Sequence, residues 1–229
     1  MLKSTPPKMA LTLRVLARLL SYPDAVLRLH LDEMRDALRQ ESALSPARLA
    51  ELGALMNAIE AQSDIDAEAD YVQLFDSGRR TSLHLFEHVH GDSRDRGPAM
   101  IDLAQTYEKA GLYLGEGEMP DHLPVVLEYA STQPPVEARA FLAEMTHIFN
   151  VVFSALEQRG SAYASVLGGL IELAGETARP VKIEDEPPID ETWSEPAAFG
   201  GCSTNGQARP GQPQPINFVR GNPTKGVRV

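Results

Sequence analysis

Across the first 179 positions the apolar residues recur every three or four places, with no convincing run of the alternation that a half-buried strand needs. Such spacing lines one side of an α-helix. Met9, Leu13, Leu16 and Leu20 mark the first helix. Ser45-Pro46 opens another, as N-cap and first-turn proline, with Leu49, Leu52, Leu55, Met56 and Ile59 as its stripe. Residues 64–76 carry Tyr71, Leu74 and Phe75. Pro98 starts a helix lined by Met100, Leu103, Tyr107 and Ala110, with Gly111 at its end. Asp121 is placed to cap a short helix that holds Pro124 in its first turn. After Pro134-Pro135 comes the longest helix, facing the core with Phe141, Met145, Ile148, Phe149, Val152 and Leu156 and stopping at Gly160. Ser161 caps the last, which carries Tyr163, Val166, Leu167, Leu170 and Ile171. No internal repeat of fixed period is present. The pattern predicts an all-α fold, a single helical bundle of roughly eight or nine helices.

The pattern stops near residue 180. Residues 180–229 hold 8 Pro and 6 Gly and show no periodicity, the composition of a disordered tail. Two regions follow: a helical domain, 1–179, and a Pro/Gly-rich flexible tail, 180–229. The tail has 5 bases and 6 acids of the chain's 21 and 32, so residues 1–179 carry a net charge of −10. Phosphate backbones and anionic membranes need clustered cations, so neither is expected as main partner; a basic partner fits. A single cysteine, Cys202, precludes an intramolecular disulfide and fits a reducing cytoplasm. The N-terminus superficially resembles a signal peptide, but Arg14 and Arg18 interrupt its apolar run and no small-residue cleavage site follows. No uncharged apolar stretch of ~18 residues is found, so no membrane span is expected.

Chemistry concentrates in LHLFEHVHGDSRDRG, residues 83–97. His84, Glu87 and His88 match H-x-x-E-H, the pattern of the inverted zinc peptidases. On a helix, His84 and His88 share a face and can hold zinc, with Glu87 as general base. Against this, Gly91 closes the helix early and no third ligand sits in a recognisable motif. The plainer reading is a solvated helix end whose His and Glu side chains bond each other and the next loop, with Phe86 and Val89 anchoring it in the core. Arg79, Arg80, Arg94 and Arg96 are expected to pair with Asp76, Asp92 and Asp95. His147 reads as structural, and His122 beside Asp121 as part of an N-cap. No phosphate-binding loop and no Gly-x-Ser-x-Gly elbow occur, and no ordered surroundings are expected to activate Cys202. On the residues alone, a zinc hydrolase and a helical scaffold or adaptor both stand.

The flanks extend the pattern. YVQLFDSGRRTSLHLFEHVHGDSRDRGPAM, residues 71–100, closely resembles the signature of the nitrate reductase molybdenum cofactor assembly chaperones of the NarJ type. IDLAQTYEKAGL and EMPDHLPVVLEYAS continue the likeness to residue 131, and its Pro-Asp-His-Leu is similar to the acid-proline-Asp-His element of the wider TorD-like maturation chaperones. IDETWSEPAAFGGC and PINFVR resemble tail elements of the same family. The resemblance implies an all-helical bundle that is not an enzyme and needs no cofactor. It implies a cytoplasmic chaperone that binds the immature catalytic subunit of respiratory nitrate reductase. The N-terminal segment of that subunit, basic and amphipathic, is the expected ligand, held until the molybdenum cofactor is inserted and the complex docks on the membrane. His84, Glu87, His88, His90, Asp92, Arg94, Asp121 and His122 are the candidate partner-binding residues. Glu87 and Asp92 would accept from client Arg or Lys, and the histidines would make affinity respond to pH. With no ATP motif, release follows from competition by cofactor binding or client folding. A monomer or weak homodimer is expected.

Overall fold

The computed structural model describes residues 6–91 and 93–181. Along them run eleven α-helices: α1 (Ala10–Leu19), α2 (Ala25–Leu29), α3 (Leu31–Glu41), α4 (Pro46–Ala61), α5 (Asp64–Phe75), α6 (Leu85–Val89), α7 (Arg96–Lys109), α8 (Leu123–Thr132), α9 (Pro135–Glu144), α10 (Thr146–Gln158) and α11 (Ala164–Leu173). A 3-10 turn, Arg79–Thr81, precedes α6. The described residues contain no strand, and the all-α expectation holds. The candidate residue Asp92, Cys202 and the tail from residue 182 lie outside the described residues. Just before it, the chain is fastened to α10: the Arg179 amide donates to Asn150 Oδ1 at 2.6 Å and that of Val181 to Ser154 Oγ at 3.0 Å.

The core is built on α11, where nine of ten residues are buried, Glu172 being the exception. Around it pack α1, α4, α9 and α10, and α1 in turn packs against α3 and α8. Leu13, Leu16, Leu19 and Leu20 have no exposed surface, and burying each stabilises the fold by about 1.5–3 kcal/mol. Helices α4 and α11 approach closely at Gly168, where a Cβ would lie 2.4 Å from the Arg48 guanidinium carbon. Arg48 pairs with Glu51 on its own helix and reaches across the gap toward Glu172 at 3.8 Å. Any larger residue there would require the Arg48 side chain to shift.

Helix number departs from the expected eight or nine in two places. Residues 25–41 form two helices, α2 and α3, of which α3 buries Leu31, Met34 and Leu38. The long helix after Pro135 is divided at Met145. There the Leu142 carbonyl accepts from the Met145 amide at 3.1 Å and from the Thr146 hydroxyl at 3.3 Å. A hydroxyl bonding back four residues and an i−3 amide bond together tighten the turn, and the axis breaks.

Some caps are local. Ser45 Oγ accepts from the Arg48 amide and Ser63 Oγ from the Asp66 amide, as the sequence rule requires. Others come from afar. The first turn of α1 has no capping side chain of its own; Glu41, at the end of α3, accepts from the amides of Leu11 at 3.2 Å and Thr12 at 2.6 Å. No described helix is long and apolar enough to cross a membrane.

Candidate functional site

The segment 82–90 is held against 119–123 by backbone first. The Leu85 amide donates to the Asp121 carbonyl at 3.0 Å and the Leu123 amide to the Leu83 carbonyl at 2.8 Å, a single antiparallel bridge that sets His84 opposite His122. Leu83, Leu85 and Leu123 then enter the core. Leu85 is thus the anchor of α6. The expected anchors are not: Phe86 is half-buried and Val89 exposed.

Asp121 has a fully buried side chain. It does not cap α8, as its position suggested; His122 occupies that place without a side-chain bond. Asp121 caps α6 instead. Its Oδ2 accepts from the Phe86 amide at 3.2 Å, while Oδ1 accepts from His84 Nδ1 at 3.3 Å. Arg96, at the start of α7, lies 3.8 Å from Asp121 and 3.6 Å from Glu87. So Arg96 points inward, rather than pairing in its own loop. No local pattern signals this, because the Asp121 carboxylate joins residues from three separate segments.

The charges tune one another. Burial pushes Asp121 up, but the bonds from His84 and Phe86 and the nearby Arg96 outweigh it, and the carboxyl lies below its ordinary value. The bond to Asp121 raises His84 above its ordinary value against the opposing effect of burial. Burial, then the charge on His84, lowers His122, whose ring lies 5.1 Å from that of His84.

The remaining candidates spread outward from this buckle. His84 has extended backbone, φ −87° and ψ 105°, and precedes α6, so its ring and that of His88 do not share a helical face. His88 Nε2 donates to the Ser82 carbonyl at 2.9 Å. His90 packs edge-on against Phe86 at 5.4 Å, and Arg94 is exposed. Among the described residues no three His, Cys, Asp or Glu side chains gather to hold a metal ion. Residue spacing therefore misled the H-x-x-E-H reading: the motif straddles a helix start. Two contributors escaped it. Ser82, buried, accepts from the His84 amide at 3.2 Å, and Tyr107 donates its hydroxyl to the Pro120 carbonyl at 2.8 Å, tying the end of α7 to the same segment. Tyr107 is the one buried residue of α7.

The described residues thus form a helical bundle with a charged buckle around Asp121. The profile of the nitrate reductase delta subunit family matches residues 29–167, and the chain belongs to that family. It is 40% identical over 191 residues to the nitrate reductase molybdenum cofactor assembly chaperone NarJ of Escherichia coli K12, covering 79% of this chain and 81% of that one. It is 39% identical over 163 residues to the probable nitrate reductase molybdenum cofactor assembly chaperone NarW of the same strain, covering 71% and 68%. The corresponding probable chaperone NarJ of Bacillus subtilis 168 is 32% identical over 164 residues, covering 70% and 86%. These relatives are named as assembly chaperones, not as catalysts.

Proposed function

We propose that this chain is a nitrate reductase assembly chaperone. It binds the immature catalytic subunit in the cytoplasm, keeps it competent for molybdenum cofactor insertion and releases it before membrane docking. The observation that carries this is the 40% identity to NarJ over four-fifths of each chain. The N-terminal segment of the catalytic subunit is the ligand, and the protein acts as a monomer or weak homodimer. The net negative charge of the helical part suits a basic segment. Arg94 and the partly exposed His84, Glu87, His88 and His90 supply the rim, along with Asp92, while Asp121 and His122 hold the rim in shape.

Calorimetric titration with a peptide from that N-terminus tests the reading. Saturable binding at micromolar concentration is expected. Glu87→Lys, at a residue half-exposed beside Arg96, weakens it more at low salt than at high salt and leaves the helical signal unchanged. Absence of saturable binding overturns the assignment.

A further inference from the structure

Helix α7 stands apart from the rest of the bundle. Ten of the eleven helices send side chains into the hydrophobic core; among the described residues, α7 sends none. Of its 14 residues only Tyr107 is buried, against six of ten in α8 and nine of ten in α11. Met100, Leu103 and Ala104 share the inner side with Tyr107, at the spacing of one helical face, yet each is only partly buried. On the outer side Ile101 is 60% exposed. No other helix is packed along α7.

What holds α7 lies at its two ends. At its first residue the Arg96 guanidinium stands 3.6 Å from Glu87 and 3.8 Å from Asp121, ion pairs too long to be hydrogen bonds. In its last turn Tyr107 donates to the Pro120 carbonyl at 2.8 Å, and its ring meets that of Tyr129 on α8 at 4.9 Å. Between these points the Thr106 hydroxyl bonds within the helix, to the Asp102 carbonyl. Both flanks carry a glycine in the left-handed region, Gly91 at φ +52° and Gly111 at φ +80°. Glycine turns the chain there without the steric cost that other residues meet, and such positions absorb the backbone rotation of a moving segment. Beyond Gly111, Leu112 and Leu114 join Tyr107 in lining a cleft of about 410 Å³, which Val125 and Tyr129 of α8 line as well.

A segment with few buried apolar contacts, latched only at its ends, is the part of a fold that opens first. The core does not oppose the departure of α7, because α7 supplies none of it. One hydrogen bond, one ring contact and two long ion pairs oppose it. We propose that α7 is a hinged flap: it swings as a unit on Gly91 and Gly111, releases Tyr107 from Pro120 and widens the cleft that its trailing segment lines. The motion is a property of the fold and is independent of the nitrate reductase reading.

Pulsed electron paramagnetic resonance on the full chain, with Cys202→Ser, tests this. One pair of spin labels, at Ile101→Cys and Glu137→Cys, spans α7 and α9. A reference pair, at Arg39→Cys and Glu137→Cys, spans α3 and α9. The flap pair is expected to show a main distance and a minor second one. Tyr107→Phe should raise the minor share about fivefold, the effect of one hydrogen bond. Arg96→Gln should raise it by a smaller factor that shrinks as salt is added. The reference pair is expected to keep one narrow distance throughout. A single flap distance in wild type and in both variants overturns the proposal. So does broadening of the reference pair in Tyr107→Phe, or loss of that variant's helical circular dichroism, since either makes α7 part of the cooperative core.

Discussion

Asp121 is a carboxylate without exposed surface that has an imidazole, a backbone amide and a guanidinium around it. Removing the carboxylate leaves the Phe86 amide without its acceptor and the partly exposed His84 and Arg96 without their counter-charge. Asp121→Ala should therefore cost about 1–3 kcal/mol in denaturant unfolding, whereas Asp121→Asn, which keeps an acceptor for Phe86, should cost roughly half as much. Acidity gives a second readout. The raised His84 contributes stability in full below its ordinary value of 6.5, and that contribution is lost as pH rises through the raised value. The lowered Asp121 contributes in full above 3.8, and its share is lost as pH falls through the lowered value. The pair is thus complete between those two ordinary values. The stability gap between wild type and His84→Gln should be larger at about pH 5.5 than at about pH 8.5. His122 works against it: its depressed value contributes above 6.5 and loses stability as pH falls, an effect that His84→Gln partly relieves. Proton NMR titration should place His84 above 6.5 and His122 below it; the reverse order would remove the buckle's electrostatic basis.

Helices succeed or fail here on where their partners come from. Gly168→Ala brings a methyl group against the end of the Arg48 side chain, which must swing aside and weaken its pairing with Glu51 and Glu172; set against the gain of about 1 kcal/mol in helix propensity, a net loss of no more than about 1 kcal/mol is expected in thermal unfolding. An unchanged melting temperature would show that Arg48 gives way freely. Apolar periodicity made α1, α4, α5 and α11 legible, and Ser45 the start of α4, because both are local rules read within one turn or two; Ser161, read as the cap of α11, does not cap it, since that helix starts after Tyr163 with no capping side chain. The break at Met145 was not, since Thr146 had to be seen bonding back to Leu142 rather than outward. Nor were the caps of α1 and α6, which Glu41 and Asp121 supply from outside those helices. The candidate site divides the same way. His84, Glu87, Asp121 and His122 were picked out as polar residues of a recognisable signature, and the structure brings them together around Asp121. Only the helical geometry that H-x-x-E-H requires fails, because α6 begins at Leu85, one residue too late to include His84.

The bundle reaches at least to Val181, whose amide still donates to α10. Truncation after that residue is expected to leave helicity and melting temperature unchanged by circular dichroism; a cooperative loss of structure would mean that the last 48 residues take part in the fold. What the rest of the molecule owes to chain order is seen best at α6. A five-residue helix does not persist alone in water, and its cap stands 35 positions downstream of Phe86. On a ribosome, residues 82–90 emerge well before the carboxylate that orders them, so the signature stretch stays open until α8 begins to form. In the finished protein the same dependence makes one cooperative unit of two distant segments. Amide protons of Leu85, Phe86 and Leu123 should exchange with deuterium at a common rate, and Asp121→Ala should accelerate all three together.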